Sequence, residues 1–376
     1  MNSQVSSSDT ACGSSAYFLL VEKVQRWIWE QNWTELRDAQ EKAIEPILSR
    51  NTDVLISAST ASGKTEAAFL PICSTLADDS STCVRALYIS PLKALINDQY
   101  DRLLALCEHL NISVFKWHGD VSSSVKRRFL KKPAGILLIT PESLEALFIL
   151  HGPALKPLFA DLSYFIVDEL HSFIGTERGR QLQSLMHRVE SILGRRIPRI
   201  GLSATLGDMG LAQEFLRPNS DFPCIQIVSA SGGQEIKMQI RGYLAPSGMQ
   251  SPALSHSLPP PEHMEDIAVN SISQHLFSTL RGSTNLVFTN SRSLTEVYSA
   301  KLRSICENLL LPLEFWPHHG SLSKQLREDT EAMLKDKSKP TTAICTSTLE
   351  MGIDIGSVKN IAQIGTPPSV ASVVSQ

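Results

Sequence analysis

The stretch Val54-Leu-Ile-Ser-Ala-Ser-Thr-Ala-Ser-Gly-Lys-Thr65 decides the fold. An apolar strand runs into a loop of small residues, and a helical pattern starts at the lysine. Within it, Ala58-x-x-x-x-Gly63-Lys64-Thr65 matches the phosphate-loop (Walker A) pattern, with alanine in the first glycine position. Small side chains let backbone N–H groups close around phosphate oxygens, and the helix that follows points its positive end at the same anion. Ala58, Ser59, Thr60, Ala61, Ser62 and Gly63 are therefore the expected cradle. Lys64 is expected to pair with the β- and γ-phosphates of ATP, and the Thr65 hydroxyl to ligate Mg2+.

About 100 residues on, Leu162-Ser-Tyr-Phe-Ile-Val-Asp-Glu-Leu-His171 is an apolar strand ending in two carboxylates. Asp168, at the strand end, is placed to hold Mg2+, and Glu169 to orient and deprotonate an attacking water. Taken alone, the pair could be a solvated acidic turn. Paired with the phosphate loop, it reads as the second half of a nucleotide site at the carboxyl ends of parallel strands.

Outward from these two segments, strand-like runs recur with helical patterns between them: Asp53–Ser57, Ala86–Ser90, Ser113–Trp117, Gly135–Thr140, Tyr164–Val167 and Arg199–Ser203. That alternation predicts an α/β fold with mainly parallel sheets. A helical pattern precedes them from about Tyr17 to Ile47. Three segments then repeat in order. Ala86-Leu-Tyr-Ile-Ser-Pro-Leu-Lys-Ala-Leu95 is echoed 199 residues later by Asn285-Leu-Val-Phe-Thr-Asn-Ser-Arg-Ser-Leu294. Phe115-Lys-Trp-His-Gly-Asp-Val-Ser122 is echoed by Phe315-Trp-Pro-His-His-Gly-Ser-Leu-Ser323, the glycines 201 residues apart. The strand ending in Thr140-Pro-Glu-Ser-Leu-Glu145 is echoed at Thr346-Ser-Thr-Leu-Glu350, 206 residues on. Two copies of one α/β unit follow, and only the first carries the phosphate loop and the acid pair. The expected division is a polar tail over residues 1–15, a first domain over 16–232, a Pro- and Ser-rich linker with a first strand region over 233–265, and a second, incomplete domain over 266–376.

Bulk composition narrows the class. Hydrophobic residues make up 42% and charged residues 19% of the 376, which is globular composition. With a formal net charge of -3, any nucleic-acid partner must be met by local basic clusters. The seven cysteines form no C-x-x-C pair, which argues against a zinc site and suits a reducing cytosol. No apolar run is long enough for a membrane span and no secretion signal is evident, so a cytoplasmic location is expected.

The tetrad Asp168-Glu-Leu-His171 resembles the DEAD/DEAH box of superfamily 2 helicases, and further motifs fall in that family's order. Gln40, in Leu36-Arg-Asp-Ala-Gln40, is similar to the adenine-reading glutamine of the Q motif. Ser90-Pro-Leu-Lys-Ala-Leu-Ile-Asn-Asp-Gln99 resembles motif Ia, Thr140-Pro-Glu-Ser143 motif Ib and Ser203-Ala-Thr205 motif III. Leu286-Val-Phe-Thr-Asn-Ser-Arg292 resembles motif IV, and Thr346-Ser-Thr-Leu-Glu-Met-Gly-Ile-Asp354 motif V. Within the superfamily the likeness is greatest to the Lhr-like helicases, on Thr60-Ala-Ser-Gly-Lys-Thr-Glu-Ala-Ala-Phe-Leu-Pro71, Ser90-Pro-Leu-Lys-Ala-Leu95 and Val167-Asp-Glu-Leu-His-Ser-Phe-Ile-Gly-Thr-Glu-Arg-Gly179.

The resemblance implies two tandem RecA-like domains and an ATP-dependent motor that tracks single-stranded DNA, separates duplexes and is linked to DNA repair. It assigns Pro91, Lys93, Thr140, Pro141, Arg292, Thr346 and Thr348 to the strand backbone, Ser203 and Thr205 to coupling, and Gly352 and Asp354 to the nucleotide. ATP is expected to draw the two copies together, and hydrolysis to loosen them. Lys93 and Arg292 fall at matched positions in the two copies. His118 and His319 read as loop residues, Trp27, Trp29 and Trp33 as helix packing, and Lys126-Arg-Arg-Phe-Leu-Lys-Lys132 as a solvated helix face. The family's motif VI, with its arginine finger, would begin at Gln376, and no arginine follows Arg327. The expectation is a chain that binds ATP and nucleic acid but turns ATP over poorly. The motifs leave open an RNA helicase, a restriction-type translocase subunit, or a non-catalytic ATP-gated binding module, because backbone contacts carry little base information.

Overall fold

A computed structural model describes residues 15–58, 63–78, 81–204, 208–229, 237–243, 261–336, 338–346 and 358–366. The chain divides into two compact units between Gly232 and Gly233.

The first unit opens with a 3-10 turn (Tyr17–Leu19), α1 (Glu22–Glu30) and α2 (Asp38–Ser49). The single helix expected from Tyr17 to Ile47 is thus broken. The break falls at Gln31-Asn32-Trp33-Thr34, where Asn32 adopts φ 57°, a left-handed conformation that ends a helical run. Trp27 and Trp33 meet edge to face at 5.7 Å against the core, as helix packing requires. Trp29 does not follow them, being 64% exposed.

β1 (Asp53–Ser57), α3 (Lys64–Leu76), β2 (Val84–Ile89), α4 (Lys93–His109), β3 (Val114–Trp117), α5 (Ser123–Lys131) and β4 (Gly135–Ile139) alternate next. α6 (Pro141–His151), α7 (Leu155–Leu158), β5 (Tyr164–Val167), α8 (Glu177–Leu193), β6 (Arg199–Ser203), α9 (Met209–Leu216) and β7 (Cys224–Val228) complete the unit. β7 is a strand that the sequence patterning did not disclose. Its burial is patchy, with only Ile227 deeply buried, so it lacks the apolar run that marks the others.

All seven strands run parallel in the order β3-β4-β2-β5-β6-β1-β7. Alternation along each strand sends neighbours to opposite faces. Val54, Ile56, Tyr88, Ile166 and Leu202 enter a core shared with α2, α3 and α4. Leu55, Leu87, Ile89, Phe165 and Val167 enter a second core under α6 to α9. Covering both faces explains why these strands read as continuous apolar runs.

The second unit holds α10 (Pro261–Leu280), β8 (Asn285–Thr289), α11 (Arg292–Asn308), β9 (Phe315–His318), α12 (Lys324–Lys335), β10 (Thr342–Cys345) and β11 (Asn360–Ile364). Its sheet is parallel, in the order β11-β8-β10-β9. Residues 237–243, placed by sequence in a first strand region, form no strand. Among the described residues no helix is long and apolar enough to cross a membrane.

Candidate functional site

The strand order sorts the expected site residues into two groups along one edge of the first sheet. Ser203 ends β6, and Ala58 and Asp168 directly follow β1 and β5; Ser90 and Thr140 directly follow β2 and β4. Parallel pairing puts all five ends on the same side, the edge where α/β sheets hold ligands.

In the first group, Gly63 caps α3 with φ 80°, a left-handed conformation that glycine adopts without penalty. A methyl group there would lie 2.6 Å from Gln40 Nε2, so the Gln40 amide rests directly on the end of the phosphate loop. Gln40 is buried in α2, and its Oε1 accepts the Arg37 backbone N–H at 2.9 Å. Lys64 and Thr65 open α3, and both are buried. The Lys64 ammonium makes no hydrogen bond within the protein. A buried, unpaired ammonium is costly unless an anion completes it. Ser59, Thr60, Ala61 and Ser62 lie outside the described residues, as do Thr205, Thr348, Gly352 and Asp354.

Facing Lys64 are Asp168 and Glu169, 7% and 6% exposed. Burial, and then the neighbouring Glu169 charge, push the Asp168 carboxyl up to about 6, against the pull of the Tyr88 hydrogen bond and of Lys64. Burial likewise raises Glu169, with Lys64 opposing. Glu169 sits at φ 47°, ψ 47°. That left-handed backbone costs a side-chain-bearing residue about 1–2 kcal/mol. The buried phenol of Tyr88, from β2, donates to Asp168 Oδ2. This partner was missed in the sequence because it lies inside the motif Ia strand, where its alternation reads as core.

His171 Nδ1 lies 3.1 Å from Ser203 Oγ and 3.5 Å from Glu169 Oε2. Burial, and then the Lys64 charge, lower His171 to about 4. The ring is therefore neutral at pH 7, and its contact with Glu169 is not an ion pair. Ser57 Oγ donates to the Ala204 carbonyl at 3.2 Å, tying the ends of β1 and β6 together.

The second group differs from the expectation in detail. The Thr140 hydroxyl accepts from Ser143 N at 3.3 Å and donates to Ser143 Oγ at 3.1 Å, so it caps α6 rather than standing open. Pro91 and Pro141 are buried and shape their loops. The Pro91 carbonyl accepts from Arg178 Nη2 at 2.6 Å, and Arg178 also grips Glu142 at 2.5 and 3.0 Å. Arg178 is a brace joining the two loops, a role its sequence position gave no sign of. Gly179, beside it, has no room for a side chain: a methyl would meet the Phe173 carbonyl oxygen at 2.0 Å. Lys93 is exposed at the start of α4. In the second unit Arg292 is exposed at the start of α11, and Thr346 follows β10, its N–H donating to the His318 carbonyl.

A parallel sheet with this strand order, a lysine-tipped phosphate loop and an acid pair across from it define a P-loop nucleotide site on a RecA-like fold. Residues 37–212 match the DEAD/DEAH box helicase family and residues 268–376 the helicase conserved C-terminal domain, together most of the chain. The chain belongs to the DEAD/DEAH-box helicases, and within them it is Lhr-like. It is 31% identical to the ATP-dependent helicase Lhr-Core of Sulfolobus acidocaldarius over 95% of this chain and 40% of the relative. It is 32% identical to that of Methanothermobacter thermautotrophicus over 94% and 41%. The solved structure of Mycobacterium smegmatis helicase Lhr bound to ssDNA and AMP-PNP matches with a TM-score of 0.75 at 27% identity, over 96% of this chain and 46% of that one. The chain spans about 40% of the length of the curated relatives it matches.

Proposed function

We propose that this chain is the motor core of an ATP-dependent helicase that moves on single-stranded DNA and separates duplexes. One observation carries the reading: the buried, unpaired Lys64 ammonium faces two buried carboxylates across the ends of β1 and β5. An anion would complete the Lys64 ammonium and a cation the buried carboxylates, and a nucleoside triphosphate with Mg2+ supplies both.

In this reading Lys64 pairs with the terminal phosphates. Thr65 and Asp168 would hold Mg2+, which supplies charge neutralisation at the phosphate oxygens. Glu169 takes the proton of the attacking water, and its raised affinity for protons suits a general base. The neutral His171 ring links the acid box to Ser203, so a change at the phosphate reaches the end of β6. Gln40, packed on Gly63 at the end of the phosphate loop, takes the adenine-reading role in this reading. Lys93 and Arg292 are the cations offered to strand phosphates. The Lhr structure with ssDNA and AMP-PNP supports DNA and ATP as the partners.

The test is strand displacement by the full-length protein on duplexes with matched DNA and RNA tracking strands. DNA-strand unwinding that Lys64→Ala abolishes is expected. Unwinding retained by Lys64→Ala overturns the site, and a requirement for the 2′-hydroxyl overturns DNA as the track.

A further inference from the structure

The repeated halves share more than a fold. Lys93 and Arg292 are the first residues of α4 and α11, 199 positions apart. Four residues on, and so on the same helix face, stand Asn97 and Glu296. Each takes a hydrogen bond from a buried histidine in the loop beyond the next strand: His118 Nε2 to Asn97 Oδ1 at 3.2 Å, His319 Nε2 to Glu296 Oε1 at 2.6 Å. Each histidine's Nδ1 accepts the backbone N–H two residues on, from Asp120 at 3.4 Å and from Ser321 at 3.3 Å. An Nδ1 that accepts leaves the ring proton on Nε2, so both rings donate to the helix. Each histidine carbonyl accepts from the residue three on, Val121 at 3.2 Å and Leu322 at 3.1 Å. Each loop then ends in a serine that caps the next helix, Ser122 on α5 and Ser323 on α12.

One position breaks the match. The residue two after each histidine receives the cation's head group. In the first half Lys93 Nζ lies 2.9 Å from Asp120 Oδ1. In the second, Arg292 Nη1 donates to Ser321 Oγ at 2.6 Å. Gly119 permits the first contact, since a methyl there would press on Lys93 Nζ at 3.0 Å. The Lys93–Asp120 pair is exposed, 51% and 58%, and so contributes little to holding the loop. The buried histidine does that in both halves, which leaves the head-group partner open to differ.

We propose that this duplicated bracket positions the two strand-contacting cations, and that Asp120 is a built-in rival anion. It occupies Lys93 in place of a strand phosphate, whereas Arg292 donates to the neutral Ser321 and forms no ion pair among the described residues. The proposal rests on Lys93 and Arg292 being strand contacts. The ligand class is the phosphodiester backbone of a single strand. His118 and His319 are positioning residues, acting through Asn97 and Glu296 on the helix that carries each cation.

The experiment measures binding of a fluorescein-labelled oligothymidylate to the full chain by anisotropy across a salt series, with circular dichroism to check folding. Asp120→Ser is expected to tighten binding about two- to fivefold, the range an exposed ion pair is worth. It should also steepen the logarithmic salt dependence by up to about 0.7, one additional phosphate contact. Ser321→Asp is expected to weaken binding by a similar factor. His118→Ala should weaken binding non-additively with Lys93→Ala and additively with Arg292→Ala, and His118→Gln, which restores an amide donor, should recover part of the loss. If Lys93→Ala weakens binding but Asp120→Ser changes neither affinity nor salt slope, the rival-anion role is overturned while the strand-contact reading stands. If Lys93→Ala and Arg292→Ala both leave binding unchanged, the strand-contact reading and the bracket fall together.

Discussion

Asp168→Asn removes a buried charge that the fold carries at a cost. The carboxyl is raised from 3.8 to about 6, so at pH 7 its ionised form opposes folding. At 1.36 kcal/mol per unit, the penalty is roughly 3 kcal/mol. Because the folded value lies above the unfolded one, the penalty is absent below pH 3.8, grows between 3.8 and about 6, and is complete above that. Asparagine carries no such charge and keeps an oxygen to accept from Tyr88. In the absence of divalent cation and nucleotide, Asp168→Asn should therefore melt higher than the wild type at pH 8. At about 2–4 °C per kcal/mol for a domain of this size, the difference is roughly 6–12 °C. The two should converge toward pH 4. Adding Mg2+ with ATP should raise the wild-type melting temperature and leave the variant's nearly unchanged, since the cation then meets no carboxylate at that position. Thermal unfolding followed by circular dichroism in EDTA, from pH 4 to 8, measures this directly. Equal melting temperatures at pH 8, or a difference that stays constant with pH, would refute the claim that Asp168 is held ionised against its environment.

Glu169→Gln should retain nucleotide binding and lower the turnover number of strand-stimulated hydrolysis by about 10²–10⁴, read by phosphate release alongside a fluorescent ATP analogue; unaltered turnover would remove Glu169 from the reaction. Ser203→Ala severs the hydroxyl contact to His171 and is expected to depress strand displacement more than ATP hydrolysis, so equal losses in both would count against a coupling role. Arg217→Ala should destabilise the first unit by about 3–5 kcal/mol in denaturant titration, because it strips paired charge from the buried carboxylates Asp53 and Glu190. A cost below about 1 kcal/mol would mean that water replaces the guanidinium there.

Much of this could be read from the chain because the chemistry is local. Lys64 and Thr65 follow their own loop, and Asp168 and Glu169 end their own strand, so strand-then-helix patterning was enough to place each. The duplication was likewise visible as matched spacing, but its meaning was not. His118 and His319 looked like loop residues until the structure showed both rings reaching back to the helix that precedes them. Thr140 is another detail that only the structure gives. Its hydroxyl at the helix start, expected beside the strand, also serves as the cap of α6.

What the sequence determined by itself was the alternation of short apolar strands with helices and the residue types at each strand end, since both follow from neighbours along the chain. What only the tertiary structure decided was which strand ends meet. The order β3-β4-β2-β5-β6-β1-β7 sets β2 beside β5 and so brings the Tyr88 hydroxyl to Asp168, 80 residues away. It sets β5 beside β6 and so brings His171 to Ser203. Periodicity shows that a side chain faces inward; the side chain it meets there depends on strand order, which arises from packing the whole sheet between its helices.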